Sequence, residues 1–434
     1  ALLGGSLLLL LRARRRAQFR GRRPGSVLAG PQQVLGPVEK TITAVGELTA
    51  PTVEHLDAVL RRLAAAVARD HSTLPALAAV ELTGTHLVLH LAEAASLPEP
   101  WAGTADGHHW QITPDTDLGD IGPDVPDQPA PYPLLVTIGV SDTGSVWLLN
   151  VEDLDVSITG DPVYGQDVAR HLVAELACNP WSAGVEVACV GVATELAALN
   201  PDRIHAYHPD QHHPGQLDRD PIGVYLAEAV HTVDRAHAEG LDVPTARARQ
   251  TGADPWPARL LLVDAAAEHP ALDQLLQLVH TQPGHTATCV VLAGQRPDTP
   301  GTVLQVTADG RVSLPEAGLN LVAVGLTSDE AHGCAALMAH SQTDTQVPVP
   351  VEGDATGLPG TNLDSELAQL ALEELLEHAG VLLGHAGDLV LGPPRERDDL
   401  VLLVPLAAGA GHRRAHSLYS RPFSQEAQED RGRG

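Results

Sequence analysis

The sequence predicts an α/β protein with a mainly parallel sheet flanked by helices. Short apolar or β-branched runs alternate with helix-length segments from Asp155 to Ala293, the order that a parallel sheet with crossover helices requires. Hydrophobic residues make up 44% of the 434 residues, enough for a sizeable core, and aromatics at 3% leave that core to Ala, Val and Leu. Gly 40 and Pro 34 are raised, yet stay below the disordered or collagen-like range. A chain of this length holds two or three domains.

Ala1–Leu11 is apolar and is followed by seven arginines up to Arg23. Eleven residues are too few to cross a bilayer, which takes roughly 20. The basic residues follow the apolar block, the reverse of a signal peptide. Residues 1–24 therefore predict the end of a transmembrane helix with a basic stop-transfer cluster. The positive-inside rule then gives a plasma-membrane protein whose body faces the cytoplasm. Residues 25–50, rich in Gly, Pro and Gln, read as a linker.

Residues 51–130 read as a small α+β module. Thr52 can cap a helix to Asp70 on which Leu56, Val59, Leu60, Leu63 and Val67 share one face. Ala76–Leu82 and His86–Leu91 flank Thr83-Gly84-Thr85 as a hairpin, and Pro98–Pro131 wraps the surface.

Residues 131–340 form the expected main domain. Leu134–Gly139 and Ser145–Asn150 make a second hairpin. Asp155–Thr159 is a strand that runs through Gly160-Asp161-Pro162-Val163-Tyr164-Gly165 into a helix from Gln166 to Ala177. Val185–Gly191 is a buried-type strand. Asp220-Pro221 caps a helix that Gly240 ends. Leu260–Val263 and Thr288–Ala293 are strands around a helix at Pro270–His280. Val303–Thr307 and Val312–Leu314 pair across Asp309-Gly310, and Leu321–Val324 precedes a helix from Ser328 to His340. Residues 341–361 are a Pro/Gly linker, and residues 362–434 hold a helix to His378 and a truncated or disordered polar end.

The chemistry centres on strand–Gly160-x4-Gly165–helix. A phosphate-binding loop uses this architecture because backbone N–H groups and a helix N-terminus cradle anions. It also needs a Lys for the terminal phosphates and a Ser/Thr for Mg²⁺. Gln166 and Asp167 stand there instead. Gln supplies no charge, and Asp167 with Asp161 opposes phosphate by several kcal/mol in a poorly solvated pocket. The site residues are thus Gly160, Gly165, Gln166, Asp167 and Asp264, as degenerate nucleotide-loop positions, and the fold is P-loop-like. Gly160 and Gly165 also read as ordinary turn glycines, and Asp264 as a helix cap.

The net charge of −28 argues against nucleic-acid binding by the chain. Without the seven leading arginines, 20 basic residues face 55 acidic ones. Cys178, Cys189, Cys289 and Cys334 lack CxxC spacing, which fits free thiols in a reducing compartment. His205, His208, His212 and His213 lie with Asp202, Asp210, Asp218 and Asp220 in a Pro-rich stretch that follows no metal-cage spacing, so it reads as a solvated loop.

The order of elements resembles the motor domain of the FtsK/SpoIIIE and type VII secretion ATPases. The matching segments are Leu135–Gly139, Asp142-Thr143-Gly144-Ser145-Val146, Gly160–Asp167 in the Walker A place, Leu260–Asp264 in the Walker B place, and Val290–Pro297 with its Gln-Arg-Pro turn. The resemblance covers residues 132–330 and implies the fold. The lost Lys and Ser/Thr, and Ala265 where an acidic general base belongs, depart from the family pattern. The chain is therefore expected to be no enzyme, with no cofactor. The start and the run Pro131–Gly139 also resemble the central region of actinobacterial LysM and transcriptional-activator membrane proteins. No LysM or activator domain is present in these residues, so the function of those proteins is not carried over. The expected function is a membrane-tethered cytoplasmic regulatory or scaffolding protein with an inactive P-loop-like core that couples the cell envelope to a C-terminal output domain of the transcriptional-activator type, with protein partners, a bilayer contact through the N-terminal helix, and oligomerisation left open. The alternative is an active motor or an accessory subunit of a secretion or conjugation complex, its cation coming from a neighbouring subunit or from Arg170.

Overall fold

Alternation along the central strands sets the layers. On the strand Ala258–Asp264, Leu260 and Leu262 enter one apolar cluster while Leu261 and Val263 enter another. A strand that is apolar on both faces belongs inside a parallel sheet with helices on each side.

The computed structural model describes residues 2–24, 26–28, 33–208, 220–296, 301–343 and 346–348. Residues 1–350 form one compact unit, and the second unit, 351–434, lies outside the described residues, with the expected C-terminal helix. The first elements are α1 (Leu3–Arg20), β1 (Ser26–Leu28), α2 (Gly36–Asp70), β2 (Leu77–Leu82), β3 (Leu87–Leu91), β4 (Ala102–Gly103), β5 (His109–Ile112) and α3 (Leu118–Ile121). Next come β6 (Leu135–Val140), β7 (Val146–Asn150), β8 (Asp155–Gly160), α4 (Pro162–Cys178), β9 (Val185–Val190), β10 (Ile204–Tyr207), α5 (Pro221–Glu239) and α6 (Val243–Ala248). The last are β11 (Ala258–Asp264), α7 (Pro270–Thr281), β12 (Thr288–Ala293), β13 (Thr302–Val306), β14 (Arg311–Leu314), β15 (Leu319–Ala323), α8 (Ser328–His340) and β16 (Gln346–Pro348).

Among the described residues, fourteen strands make one sheet in the order β10-β9-β11-β12-β8-β13-β14-β15-β6-β7-β2-β3-β5-β4. The run from β10 to β13 is parallel, and from β14 onward pairing is antiparallel. Helices α1, α4 and α8 pack on one face of the parallel part, and α5 and α7 on the other. The expected small module shares the same sheet, because Ala79–Leu82 of β2 pairs with Val146–Leu149 of β7. Helix α2 lays Val53, Leu56, Val59, Leu60, Leu63 and Val67 over that part, against Val80, Leu89, Leu135 and Leu148.

Two expectations are corrected here. The structure does not support the apolar start as the end of a membrane span. Leu3, Leu7, Leu8 and Leu11 of α1 are buried in the cluster that holds Val156 and Ile158 of β8 and Leu172 of α4. Among the described residues no helix is long and apolar enough to cross a membrane. Residues 36–50 are also not linker, because α2 begins at Gly36 and continues through Pro51. Pro37 suits the first helical turn, where its missing N–H costs nothing. An interior Pro51 normally costs about 3 kcal/mol. The buried positions Ile42, Gly46, Ala50 and Val53 on both sides of it offset that cost through packing.

The contact between α1 and α2 depends on missing side chains. A Cβ on Gly46 would lie 2.6 Å from Leu8 Cβ and 2.7 Å from the Gly4 carbonyl oxygen. We expect Gly46→Val to destabilise the chain by about 1–3 kcal/mol through overpacking. Gly36→Ala, with nothing within 4 Å of its new Cβ, should leave thermal unfolding unchanged. Equal melting temperatures for the two variants would refute a close helix crossing.

A buried polar centre ties α6 to the turn between β7 and β8. Arg247 donates to Glu152 and to the carbonyls of Pro131 and Trp256. Beside it, the partly buried Asp153 accepts from the Thr286 N–H at 2.8 Å and from the Thr286 hydroxyl. Burial first, then the Glu152 charge, pushes the Asp153 carboxyl up to about 7. Folding therefore favours the neutral acid. Its contribution is full below the ordinary value of 3.8, declines as pH rises towards about 7, and is flat above that. Asp153→Asn should raise stability at pH 8 by on the order of 1–2 kcal/mol and leave it unchanged near pH 4. Urea unfolding at both pH values checks this.

Candidate functional site

The strand ends of a parallel sheet are where its ligands bind, and the sequence places its motif there. β8 ends at Gly160, and Asp161-Pro162 then starts α4 at once. Asp161 is the N-cap, accepting from the N–H groups of Val163 and Tyr164 at 3.0 Å each. The expected phosphate-loop turn between Gly160 and Gly165, with a helix starting at Gln166, is thus corrected. The helix begins four residues earlier, and Gly165 is buried inside its first turns. The signal was present in the sequence: Asp161-Pro162 is the same cap-and-first-position pair as Asp220-Pro221, which caps α5.

Gly160 is required for a reason other than phosphate. Its φ is +94°, and a Cβ there would lie 2.0 Å from the Val306 carbonyl oxygen. Asp161 N–H donates to that same oxygen at 2.9 Å. Register pairs Val306 with Gly160, so β13 fills the space beside the turn. The helix N-terminus, an anion site by its dipole and free N–H groups, already holds the chain's own carboxylate.

Gln166 is exposed on the next turn. Asp167 accepts from Arg170 at 2.9 Å, and Arg170 also donates to Glu195. Burial, its largest influence, raises the Asp167 carboxyl above its usual range against the pull of Arg170. Arg170 is therefore held by two carboxylates and does not stand in for the missing Lys.

Asp264 lies at the same edge of the sheet, though not next to Gly160. β12 runs between β8 and β11, so the two are two strands apart, roughly 10 Å at the usual spacing. Asp264 is exposed and accepts from the Ala266 N–H at 2.8 Å, which makes it a local turn cap. In the Gln295-Arg296 turn that follows β12, Arg296 donates to Asp273 and to the Ala267 carbonyl. Pro297 and residues 209–219, with His212 and His213, lie outside the described residues. A cavity of about 340 Å³ lies elsewhere, between the end of α2 and the 93–101 segment, lined by Leu63, Val67, Leu74, Leu97 and Trp101.

Sequence reasoning missed the buried carboxylate that fastens α4 to the antiparallel part. Glu175 is fully buried and accepts from the Thr137 N–H and hydroxyl at 2.7 Å each. In the sequence it is one more polar residue on an otherwise apolar helix face, so only the fold reveals its partner.

No family model matches the chain, and no curated protein matches it. Solved structures do. The cytoplasmic domain of the Thermomonospora curvata type VII secretion ATPase EccC is 17% identical, with 61% of this chain and 41% of that chain covered and a TM-score of 0.37. EssC (ATPases 2 and 3) from Geobacillus thermodenitrificans is 14% identical, with 51% and 52% covered and a TM-score of 0.38. The pCW3 conjugation coupling protein TcpA with ATPγS is 10% identical, with 62% and 96% covered and a TM-score of 0.35. The chain thus spans about half the length of the type VII structures it matches. EccC and EssC are secretion ATPases and TcpA is a conjugation coupling protein, and none of the three is described as a LysM or activator protein. EccC and EssC are described as ATPases and TcpA was solved with ATPγS, and the expectation that the chain is no enzyme is contradicted by that finding.

The geometry separates the two glycines. Gly160→Ala should destabilise the chain by about 2–4 kcal/mol, from left-handed strain and the clash with Val306. Gly165→Ala, whose new Cβ would meet only Ile158 Cγ2 at 3.4 Å, should be neutral or stabilising by about 0.5–1 kcal/mol, as Ala is in a helix interior. Chemical denaturation of both variants checks this. Equal losses would restore a turn that needs both glycines.

Proposed function

We propose that the chain is an NTPase-fold accessory subunit of a secretion- or conjugation-type assembly. Its nucleotide chemistry requires the assembled state, where a neighbouring subunit supplies the cationic group. One observation carries this reading: at the α4 N-terminus the Asp161 carboxylate takes the N–H groups that a phosphate would need. Two supporting facts stand beside it. Arg170, three positions after Asp167, and Arg296, in the turn after β12, are both bound to carboxylates of this chain. The order of segments from Leu135 to Arg296 resembles the FtsK/SpoIIIE and type VII motors.

A bound triphosphate at this edge would face Asp161 and Asp264 with no compensating lysine. Unscreened repulsion at about 4 Å is on the order of several kcal/mol at a surface-like dielectric. A cation from a neighbour offsets that term, and Asp161 must release the Val163 and Tyr164 N–H groups before they can meet a phosphate. Protein partners follow from the reading, and the four buried, unpaired cysteines are compatible with a reducing, cytoplasmic placement.

Calorimetry with Mg-ATP on the full chain should show no micromolar binding by the isolated protein. Phosphate release should rise only when a motor subunit with an intact lysine loop is added. Micromolar binding with turnover by the isolated chain, abolished by Gly165→Asp, would overturn the requirement for a neighbour. Absence of any stimulation with added motor subunits would overturn the accessory role.

A further inference from the structure

Helix α1 has two chemically opposite faces. Leu7, Leu11, Arg14 and Gln18 fall at i, i+4, i+7 and i+11, one stripe of a 3.6-residue helix. Leu7 and Leu11 are buried. Arg14 donates to the carbonyls of Leu199 and Met338 and to Asn200, and Gln18 donates to the Thr343 carbonyl. This stripe docks on the body. Arg12, Arg16, Phe19 and Arg20 fall on the opposite stripe, and all four are exposed.

The exposed stripe is mostly uncommitted. Arg12 meets Glu47 in a half-exposed surface pair, the kind that contributes little. Among the described residues, no acidic partner holds Arg16 or Arg20. Phe19 is 61% exposed, and the Arg22 guanidinium lies 4.7 Å from its ring centre. Arg22 and Arg23 continue the exposed cationic run after the helix. The first acidic residue of the chain is Glu39, so residues 1–38 carry only positive charge while the rest has 20 basic against 55 acidic residues. Charge is thus segregated along the sequence, with a purely basic stretch ahead of a net acidic remainder.

We propose that this stripe of α1, with Arg22, is a docking surface for an anionic phospholipid bilayer. The helix lies flat in the interface and does not insert lengthwise, since its leucines are used by the core. Arginines interleaved with one exposed aromatic ring fit a headgroup layer, where guanidinium groups pair with phosphate and the ring sits at the apolar boundary. Phe19 favours lipid over a nucleic-acid backbone, against which the ring would stay in water. This proposal does not rest on the NTPase reading.

The experiment is co-sedimentation of the full chain with vesicles of phosphatidylcholine alone and of phosphatidylcholine with phosphatidylglycerol. Binding is expected only to the anionic vesicles, falling as salt rises. Arg16→Gln/Arg20→Gln should lower partitioning by roughly 30-fold, at about a factor of five per arginine. Phe19→Ala should lower it at every salt concentration, and Lys40→Gln, an exposed cation outside this stripe, should leave it unchanged. All these side chains are exposed, so circular dichroism melts should superimpose. Equal binding to neutral vesicles, or partitioning indifferent to both α1 variants, would overturn the proposal. So would tighter binding to duplex DNA than to anionic vesicles, or a salt-sensitive dimer, without vesicle binding, that the α1 variants abolish.

Discussion

The parallel pairing of β13 with β8 constrains everything at the motif. Val306 faces Gly160 so closely that its carbonyl occupies the place of a side chain. The chain must take a left-handed step there, and the next N–H is bound by the same oxygen. Asp161 then closes the helix start with its own carboxylate. A loop that could wrap a phosphate needs free N–H groups and open space. Both are used internally, so the spacing of two glycines survives without the cradle it resembles.

That junction sits within one continuous sheet. β6 links the two parts, pairing with β15 on one side and β7 on the other. Glu175 reaches from α4 to Thr137 on β6 and fastens the helix across the boundary. A fully buried carboxylate is costly unless its acceptors are filled, and the Thr137 N–H and hydroxyl fill them. The first helix completes the same face: Ser6 bonds Asn179 at the end of α4, and Arg14 caps carbonyls of two other segments. The α1 leucines thus serve the core while the arginines of the opposite stripe face solvent, and one helix carries both the packing and the charge asymmetry of the molecule.

Much of the fold was legible in the sequence because its signals are local. Short, continuous apolar or β-branched runs marked β8, β9, β11 and β12, and Asp-Pro with a distant Gly marked both ends of α5. The amphipathic face from Leu56 to Val67 was buried as the spacing required. In the candidate site, Gly160 and Asp264 were placed at the ends of strands, where they lie. The short edge strand β10 and the helix α6 escaped notice, since each is too brief to show a period.

Sequence alone determined the order of the longer strands and helices, the basic start ahead of an acidic remainder, and the absence of a lysine after Gly165. Three matters needed the tertiary structure. Ala1–Leu11 is equally apolar whether its neighbour is lipid or protein, and only the packing of α1 against α2 and α4 decided for protein. Pro51 reads as a helix end by local propensity, and the buried faces on both sides of it carried α2 through. The role of Gly160 depended on Val306, which lies 146 positions further along the chain. Local propensity is written in neighbouring residues. Whether space is filled by a ligand or by the protein itself is fixed by which distant strand arrives beside it.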